Sequence, residues 1–151
     1  MSKVCPEGFS WVSPYIIVAD VNAAVEFYKK AFGFTSKMDP IKDEHGETTH
    51  AEMHYQGQSL MLGKEGAYGK PTKTAKHSGV TSPVSLYLYT ENVDEFHKKA
   101  TAAGAQSLAA PEDMFWADRM CVVEDLDGLH WAFATHLGQE ALEKHKASAK
   151  A

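Results

Sequence analysis

The chain has 151 residues, 44% of them hydrophobic, which is enough for one domain with a substantial core. Its formal charge of −5 and the lack of a long basic face argue against nucleic acid as a partner. The sequence has no run of about 18 apolar residues, and "MSKVCPEGFSWV" has no apolar signal segment, so we expect no membrane association. With only Cys5 and Cys121, a disulfide framework is not expected, and we predict a reducing, cytoplasmic location.

The first predicted elements are a strand and a helix within "WVSPYIIVADVNAAVEFYKKAFGFT". Asp20 is a candidate N-cap for this helix, and Gly33 supplies a C-terminal stop. Apolar residues recur between them at helical spacing, namely Val21, Ala24, Val25, Tyr28 and Phe32. Three strand signals follow, in "FTSKMDPI", "THAEMHY" and "SLMLG". The first half therefore predicts the order βαβββ.

The second half repeats that order. "VSLYLYTENVDEFHKKATAAGA" predicts a strand and a helix that is capped by Asn92 and closed by Gly104. Strand signals follow in "AQSLAAP", "RMCVVE" and "LHWAFAT". Gly33 and Gly104 are 71 residues apart, as are Gly57 and Gly128. These spacings indicate a repeat of pattern rather than of identity.

The predicted organisation is one domain with two modules, at 11–63 and 83–137. The stretch between them, 64–82, is rich in Gly, Pro, Thr and Lys and has no apolar period, which favours a mobile linker or flap. The tail, 138–151, contains good helix formers with little to bury. We predict a frayed helix there and assign it no function.

Residues 11–137 resemble the vicinal oxygen chelate superfamily, which includes glyoxalase I, extradiol dioxygenases, fosfomycin-modifying enzymes and bleomycin-resistance proteins. The opening "SPYIIVADVNAAVEFYKKAFGF" and the closing hairpin "FWADRMCVVEDLDGLHWAFATH" carry the resemblance. It implies an α+β fold in which two tandem βαβββ modules form a curved mixed sheet around a cup, with the helices outside. A homodimer is common in the superfamily, so we expect one here. The resemblance says less about function, because this scaffold hosts many chemistries.

The resemblance also implies where a metal would be held. Similar metal-bearing proteins take one ligand, His, Gln or Glu, from the first and last strand of each module. The corresponding positions here are Ser13, Met61, Ser85 (or Val84, if the register slips by one) and Ala132. None of these is a good divalent-metal ligand. We therefore expect a protein without the usual metal and without another cofactor.

A second group of polar residues lies in "HAEMH". Alternate side chains of a strand share a face, so His50, Glu52 and His54 should point the same way. A tight turn at Gln56-Gly57 would place Glu52 opposite Met61. That register also predicts an apolar face for the helix to cover, formed by Ala51, Met53, Leu60 and Leu62.

The polar group has three interpretations, and the sequence leaves all three open. Glu52 is a candidate general base, with His50 or His54 as the acid. A displaced divalent metal is the second interpretation. It would need two of these groups and a third ligand from elsewhere, because the outer Cα atoms of the three lie about 13 Å apart. The third is a set of hydrogen-bonding groups that orients a ligand.

We also predict aromatic residues on other strands, on the faces that line the cup. Tyr15 lies on the first strand, Tyr87 and Tyr89 lie on the fifth, and "DMFWADR" adds Trp116 and Arg119. Aromatic rings with a few polar groups are typical of a pocket for a flat organic molecule.

Four of these residues also have a structural interpretation. Tyr87, Tyr89 and Trp116 would then belong to the core or to a subunit interface. Arg119 would either pair with Glu112 or Asp118, or clamp a ligand carboxylate.

The leading hypothesis is a glyoxalase-like protein that binds a small organic, aromatic or drug-like molecule, as bleomycin-resistance proteins do, without the usual metal. The alternative is a lyase or isomerase that uses Glu52 with His50 and His54 as acid–base or displaced metal-binding residues.

Overall fold

The computed structural model describes residues 4–149. The chain divides into two compact units, one ending at Val80 and the other beginning at Thr81. Each unit contains one βαβββ module, so the predicted α+β fold of two tandem modules is confirmed. No helix in the described part of the chain is long and apolar enough to cross a membrane.

The first unit is built on a five-stranded sheet. Its elements are β1 (Tyr15–Val18), α1 (Val21–Phe32), β2 (Thr35–Ser36), β3 (Ile41–Lys42), β4 (Thr48–Tyr55) and β5 (Gln58–Lys64). The strands run in the order β1-β5-β4-β2, with β3 also paired to β4. β1 is parallel to β5, and the other pairs are antiparallel.

Helix α1 begins and ends where the sequence predicts. The Asp20 side chain accepts a hydrogen bond from the Ala23 backbone N–H at 2.9 Å. Gly33 adopts a left-handed conformation, with φ of 72°, and closes the helix. The apolar stripe between them is buried against the sheet, so this helix forms one side of the core.

The β4–β5 hairpin has the predicted register. Gln56 and Gly57 both have positive φ, at 48° and 76°, as a two-residue hairpin turn requires. Glu52 lies opposite Met61, and His50 opposite Gly63. The predicted apolar face is fully buried, and it comprises Ala51, Met53, Leu60 and Leu62.

The stretch 64–82 has more local order than its composition indicates. It contains a 3-10 turn, Ala67–Gly69, and a one-turn helix, α2 (Ala75–Ser78). The Glu65 carboxylate accepts a hydrogen bond from the Thr74 backbone N–H at 3.0 Å. This hydrogen bond joins residues nine positions apart, so it leaves no helical or strand period in the sequence.

The second unit repeats the architecture with a four-stranded sheet. Its elements are β6 (Ser85–Tyr89), α3 (Val93–Ala102), β7 (Gln106–Asp113), β8 (Asp118–Glu124), β9 (His130–His136) and α4 (Gln139–Ser148). The strands run in the order β6-β9-β8-β7, with β6 parallel to β9. The last helix, α4, occupies most of the predicted tail.

The two faces of this second sheet differ in side-chain size. Helix α3, capped by Asn92 as predicted, covers a face of large buried side chains. Trp131 and Phe133 have no exposed surface, and the Phe133 ring lies 3.8 Å from that of Phe96 on α3. Alternation along β9 places the small Ala132 on the other face, which is the face that carries the candidate site.

Candidate functional site

The face of the second sheet that α3 does not cover carries exposed aromatic rings over small side chains. Tyr87 and Tyr89 on β6 lie beside Ala132 and Ala134 on β9, and Ala134 lies beside Met120 on β8. Neighbouring residues in register share a face, so these five side chains form one surface. Ala132 and Ala134 are buried on this surface, whereas Tyr87 and Tyr89 are 43% and 55% exposed.

A buried carboxylate fixes the two tyrosines. Asp118, only 2% exposed, accepts hydrogen bonds on Oδ2 from the hydroxyl groups of Tyr87 and Tyr89, at 2.8 and 3.0 Å. Its Oδ1 lies 2.8 Å from Nδ1 of His136. A buried acidic group needs such partners, and here three side chains supply them.

These contacts change the pKa values of Asp118, Tyr87 and Tyr89. Burial acts to raise the pKa of Asp118, but the hydrogen bonds from His136, Tyr87 and Tyr89 outweigh it and lower that pKa. Burial, with the added effect of Asp118, raises the pKa of Tyr87 to about 12. The hydrogen bond to Asp118 and burial raise the pKa of Tyr89. Both tyrosines are therefore neutral donors around pH 7.

Two further aromatic rings come from the β7–β8 turn. Trp116, 40% exposed, donates from Nε1 to the Tyr87 hydroxyl at 3.4 Å. The Phe115 ring packs edge-on against Trp116, with 4.7 Å between centroids. Tyr87, Tyr89 and Trp116, held together by Asp118, are called the aromatic platform below. The predicted ligand-binding residues Tyr87, Tyr89 and Trp116 are thus brought together, whereas the anchoring role of Asp118 was missed.

Arg119 lies away from this platform, on the face that α3 covers. Its Nε and Nη2 donate to the two carboxylate oxygens of Asp94 at 2.8 and 2.9 Å, and its Nη1 donates to Asp113 at 2.8 Å. These bonds, with Asp94 contributing most, raise the pKa of the guanidinium. The expected pairing with Glu112 or Asp118 is wrong, because alternation places Arg119 and Asp118 on opposite faces. Arg119 joins α3 to the sheet instead.

In the first unit, His50, Glu52 and His54 share one face of β4, as predicted. The Glu52 side chain is only 13% exposed, and its Oε1 accepts hydrogen bonds from Lys37 at 3.0 Å and from Ser59 at 3.3 Å. The three side chains do not converge on one point. Within residues 4–149, no group of three or more His, Cys, Asp or Glu is placed to hold a metal ion.

An N-terminal segment lies over part of this face, which the sequence did not indicate. The Gly8 carbonyl accepts a hydrogen bond from the Ser59 backbone N–H at 2.7 Å, and the Glu7 carbonyl accepts one from Lys37 at 2.9 Å. A Cβ at Gly8 would lie 2.9 Å from Nε2 of His54. That nitrogen is buried and has no hydrogen-bond partner among the described atoms. The segment has no periodic pattern that would have revealed this packing.

Tyr15 belongs with His50 rather than standing alone. Its hydroxyl lies 3.4 Å from Nδ1 of His50, and the two rings are 5.7 Å apart. The Tyr15 ring also occupies the space above Gly63, where an added Cβ would lie 2.5 Å from it. Gly63 is therefore required for this ring position.

The positions that correspond to the superfamily's metal ligands do not fit a divalent cation. In the first unit, the Ser13 hydroxyl donates to the Ser10 carbonyl at 3.2 Å, and Met61 offers only a thioether. In the second unit, Ser85 offers one hydroxyl, and Ala132, 4% exposed, has no donor atom. None of these side chains is His, Gln or Glu, the ligands that the resemblance implies for these positions, so no reaction step is assigned to a metal.

Comparisons with known proteins agree with this architecture. The sequence model of the Glyoxalase/Bleomycin resistance protein/Dioxygenase superfamily matches residues 8–133. An uncharacterized protein of Mycobacterium bovis is 34% identical over 134 residues, covering 87% of this chain and 84% of its own. The crystal structure of TioX from Micromonospora sp. ML1 is 26% identical, with a TM-score of 0.67, over 85% of this chain and 99% of that one. A gene product of Arabidopsis thaliana is also 26% identical, with a TM-score of 0.66, over 83% and 98%.

Proposed function

The chain belongs to the Glyoxalase/Bleomycin resistance protein/Dioxygenase superfamily, and from that premise we propose that it binds a small, planar organic molecule on the aromatic platform. The observation that carries the proposal is the arrangement of three exposed rings around one buried carboxylate. Asp118 accepts hydrogen bonds from the hydroxyl groups of Tyr87 and Tyr89 and so holds both rings in place.

The platform suits an aromatic ligand for two physical reasons. Its rings expose apolar surface that a planar molecule would remove from water, and ring pairs add a directional attraction. The hydroxyl groups of Tyr87 and Tyr89 are already bonded to Asp118, so the rings lose little side-chain freedom when a ligand binds. Beside them, Ala132 and Ala134 are buried, at 4% and 0% exposed, so the rings themselves form the surface that a ligand would contact.

We propose sequestration of a drug-like molecule, without chemical conversion, as the activity. The support is chemical. The metal-ligand positions lack suitable donors, and Asp118 already accepts three hydrogen bonds. A carboxylate engaged in this way serves as an anchor for the rings. It is poorly placed to take a proton from a ligand.

The proposal is tested by titrating the protein with 2-naphthol and with acridine, followed by tryptophan fluorescence and by the thermal unfolding midpoint. We expect saturable binding that is lost in Tyr87→Ala and strongly weakened in Trp116→Ala. Trp11→Ala is the matched control, because Trp11 is 84% exposed and lies in the other unit. Saturable binding that survives Tyr87→Ala and Trp116→Ala would reject the platform as the site, as would no binding of either compound.

An acid–base reaction at Glu52 is the second candidate, and one observation favours it. His50, Glu52 and His54 share a face. Nε2 of His54 has no hydrogen-bond partner among the described residues, so no neighbouring group fixes whether that nitrogen carries a proton. The activity would be that of a lyase or isomerase. Turnover that is lost in Glu52→Gln and in His54→Gln, but retained in Tyr87→Ala, would replace the binding proposal with this one.

Homodimer formation and a cytoplasmic location remain predictions from the sequence and the resemblance. The first is measured by light scattering after size-exclusion chromatography, and the second by fractionation of the source cells. A monomer at all concentrations would contradict the first prediction. It would leave the platform unchanged, because every residue of the platform belongs to the second unit.

A further inference from the structure

The first unit contains a pocket that neither the superfamily's metal positions nor the aromatic platform accounts for. It has a volume of about 190 Å³ and lies between strands β1, β4 and β5 and the loop that follows β5. The residues that line it include Tyr15, Thr49, Gly63, Tyr68 and Lys70. A cavity of about 150 Å³ holds one benzene molecule, so this pocket has room for a single-ring compound.

The loop that forms one wall is held in place at several points. The Gly66 backbone N–H donates to both the carbonyl and the side-chain oxygen of Thr72, at 3.1 and 3.2 Å. The Tyr68 hydroxyl lies 3.0 Å from Oγ1 of Thr49, which fixes the loop against strand β4. A wall tied in this way forms the pocket before a ligand arrives.

Tyr68 occupies this wall in a strained conformation. Its φ and ψ of 56° and 31° lie in the left-handed region, which a bulky side chain rarely adopts. The contact with Thr49 holds it there. Non-glycine residues in this region concentrate at ligand-binding and catalytic positions, so the strain at Tyr68 supports a binding role for the pocket.

The charges around the pocket select for an anion. Lys64 and Lys70 both line it, and the Lys64 ammonium pairs with Glu47. Lys70 has no hydrogen-bonding or ion-pair partner for its ammonium among residues 4–149. The wall of the pocket therefore includes one lysine without a counter-ion, together with the Tyr15 ring that lies over Gly63.

We propose that this pocket binds a single-ring organic monocarboxylate. The carboxylate pairs with Lys70, and the ring lies against Tyr15 and Tyr68. This is a second site, contained within the first unit, and it differs from the aromatic platform in having lysines in its wall. It stands or falls independently of the proposed function, since the two sites share no residue.

The test is calorimetric titration of the full chain with benzoate and with benzyl alcohol, which carries the same ring without the charge. We expect saturable benzoate binding and an affinity about ten-fold lower, or worse, in Lys70→Ala, as loss of one charged contact implies. Lys73→Ala is the matched control, because Lys73 is exposed on the same loop but does not line the pocket. Tyr87→Ala, which removes the platform, should leave benzoate binding unchanged.

The location of the ligand is checked by amide chemical-shift changes, which should concentrate at Thr49 and Gly63. Tyr68→Phe should weaken benzoate binding without lowering the thermal midpoint by more than a few degrees, since the change removes only one hydroxyl. The proposal is overturned by no saturation up to about 10 mM benzoate, by equal affinity for benzyl alcohol, or by equal loss of affinity in Lys70→Ala and Lys73→Ala. Loss of benzoate binding in Tyr87→Ala would move the ligand to the platform and would also overturn it.

Discussion

The two units use one backbone arrangement for two different surfaces. In each sheet, a tyrosine on the first strand lies beside the same position of the last strand, Tyr15 beside Met61 and Tyr87 beside Ala132. In the first unit, Glu52 lies beside Met61 on the neighbouring strand. Its carboxylate pairs with Lys37, whose ammonium also donates to the Glu7 carbonyl of the N-terminal segment. In the second unit, the hydroxyl groups of Tyr87 and Tyr89 are bonded to the buried Asp118, and their rings are exposed. The comparison shows that similar register does not preserve similar chemistry.

The carboxylates of Glu52 and Asp118 explain much of this difference. Glu52, whose side chain is 13% exposed, is paired with a cation, so its charge is compensated locally. The buried Asp118 is compensated by Tyr87, Tyr89 and His136, and these hydrogen bonds direct the tyrosine hydroxyl groups toward the carboxylate while ring surface stays exposed. The partners of each carboxylate thus differ in charge and in the surface that they expose.

The largest effect is expected for Asp118→Ala. Removing a buried acceptor from three donors should lower the free energy of unfolding by about 3 kcal/mol and should abolish binding to the aromatic platform. Urea unfolding and the naphthol titration measure the two losses. Asp39→Ala is the control, because Asp39 is exposed, and it should leave both quantities unchanged.

The corresponding change in the first unit should cost less. Glu52→Ala removes an ion pair with Lys37, whose side chain is 33% exposed, so the expected loss is about 1 kcal/mol or below. If Glu52→Ala were as costly as Asp118→Ala, the contrast between the two carboxylates would be wrong.

Exchanging residues at equivalent positions tests the comparison at the backbone. Gly63 and Ala134 both lie on the last strand of their sheets, two residues after Met61 and Ala132 respectively. In Gly63→Ala, the new methyl group would lie 2.5 Å from the outer part of the Tyr15 ring, which is 55% exposed and can turn away, so we expect the ring to move and the free energy of unfolding to fall by about 1 kcal/mol or less.

The reciprocal change, Ala134→Gly, creates no overlap. It should cost about 1 kcal/mol through greater backbone freedom of the unfolded chain and the lost methyl group. The Tyr15 ring resonances should shift in Gly63→Ala and stay unchanged in Ala134→Gly. Unshifted Tyr15 resonances in Gly63→Ala would contradict the proposed reason for the glycine.

High pH should affect the second unit through its tyrosines. The pKa of Tyr87 is raised to about 12 in the folded protein, whereas it is about 10 in an unfolded chain. A raised pKa means that the stabilisation is complete below the unfolded value and is lost as the pH rises through the folded one. Ultraviolet titration should therefore show late phenolate transitions for Tyr87 and Tyr89, and the one that belongs to Tyr87 should disappear in Tyr87→Phe. An ordinary transition for Tyr87 would show that the burial of its hydroxyl group, together with its hydrogen bond to Asp118, does not persist in solution.

The sequence predicted the fold and the hairpin register because both depend on local patterns. Period-two alternation and the Gln56-Gly57 turn are sufficient to place Glu52 opposite Met61. The platform was predicted in part, since Tyr87 and Trp116 could be recognised as aromatic but not as partners of Asp118.

The remaining features depend on residues that are distant in the chain. Arg119 pairs with Asp94, 25 positions away, and no pattern in either segment indicates this contact. The segment around Gly8 packs on Ser59 through a backbone carbonyl, which any residue could supply. Contacts of this kind appear only when the tertiary structure is known.

The smallest predicted effect concerns that segment. Gly8→Ala and Gly46→Ala both place a side chain at a positive φ, of 84° and 80°, so the backbone cost should be nearly equal, about 1 kcal/mol. Only at Gly8 would the new methyl group meet other groups, the His54 ring at 2.9 Å and the Ser59 hydroxyl at 3.2 Å, and both are side chains that can shift. Hydrogen exchange of the Ser59 amide should therefore accelerate in Gly8→Ala and stay unchanged in Gly46→Ala, because Ser59 donates to the Gly8 carbonyl. Equal exchange in both variants would mean that this segment does not cover the first unit in solution, and the contrast between a covered and an open face would then rest on the Lys37–Glu52 pair alone.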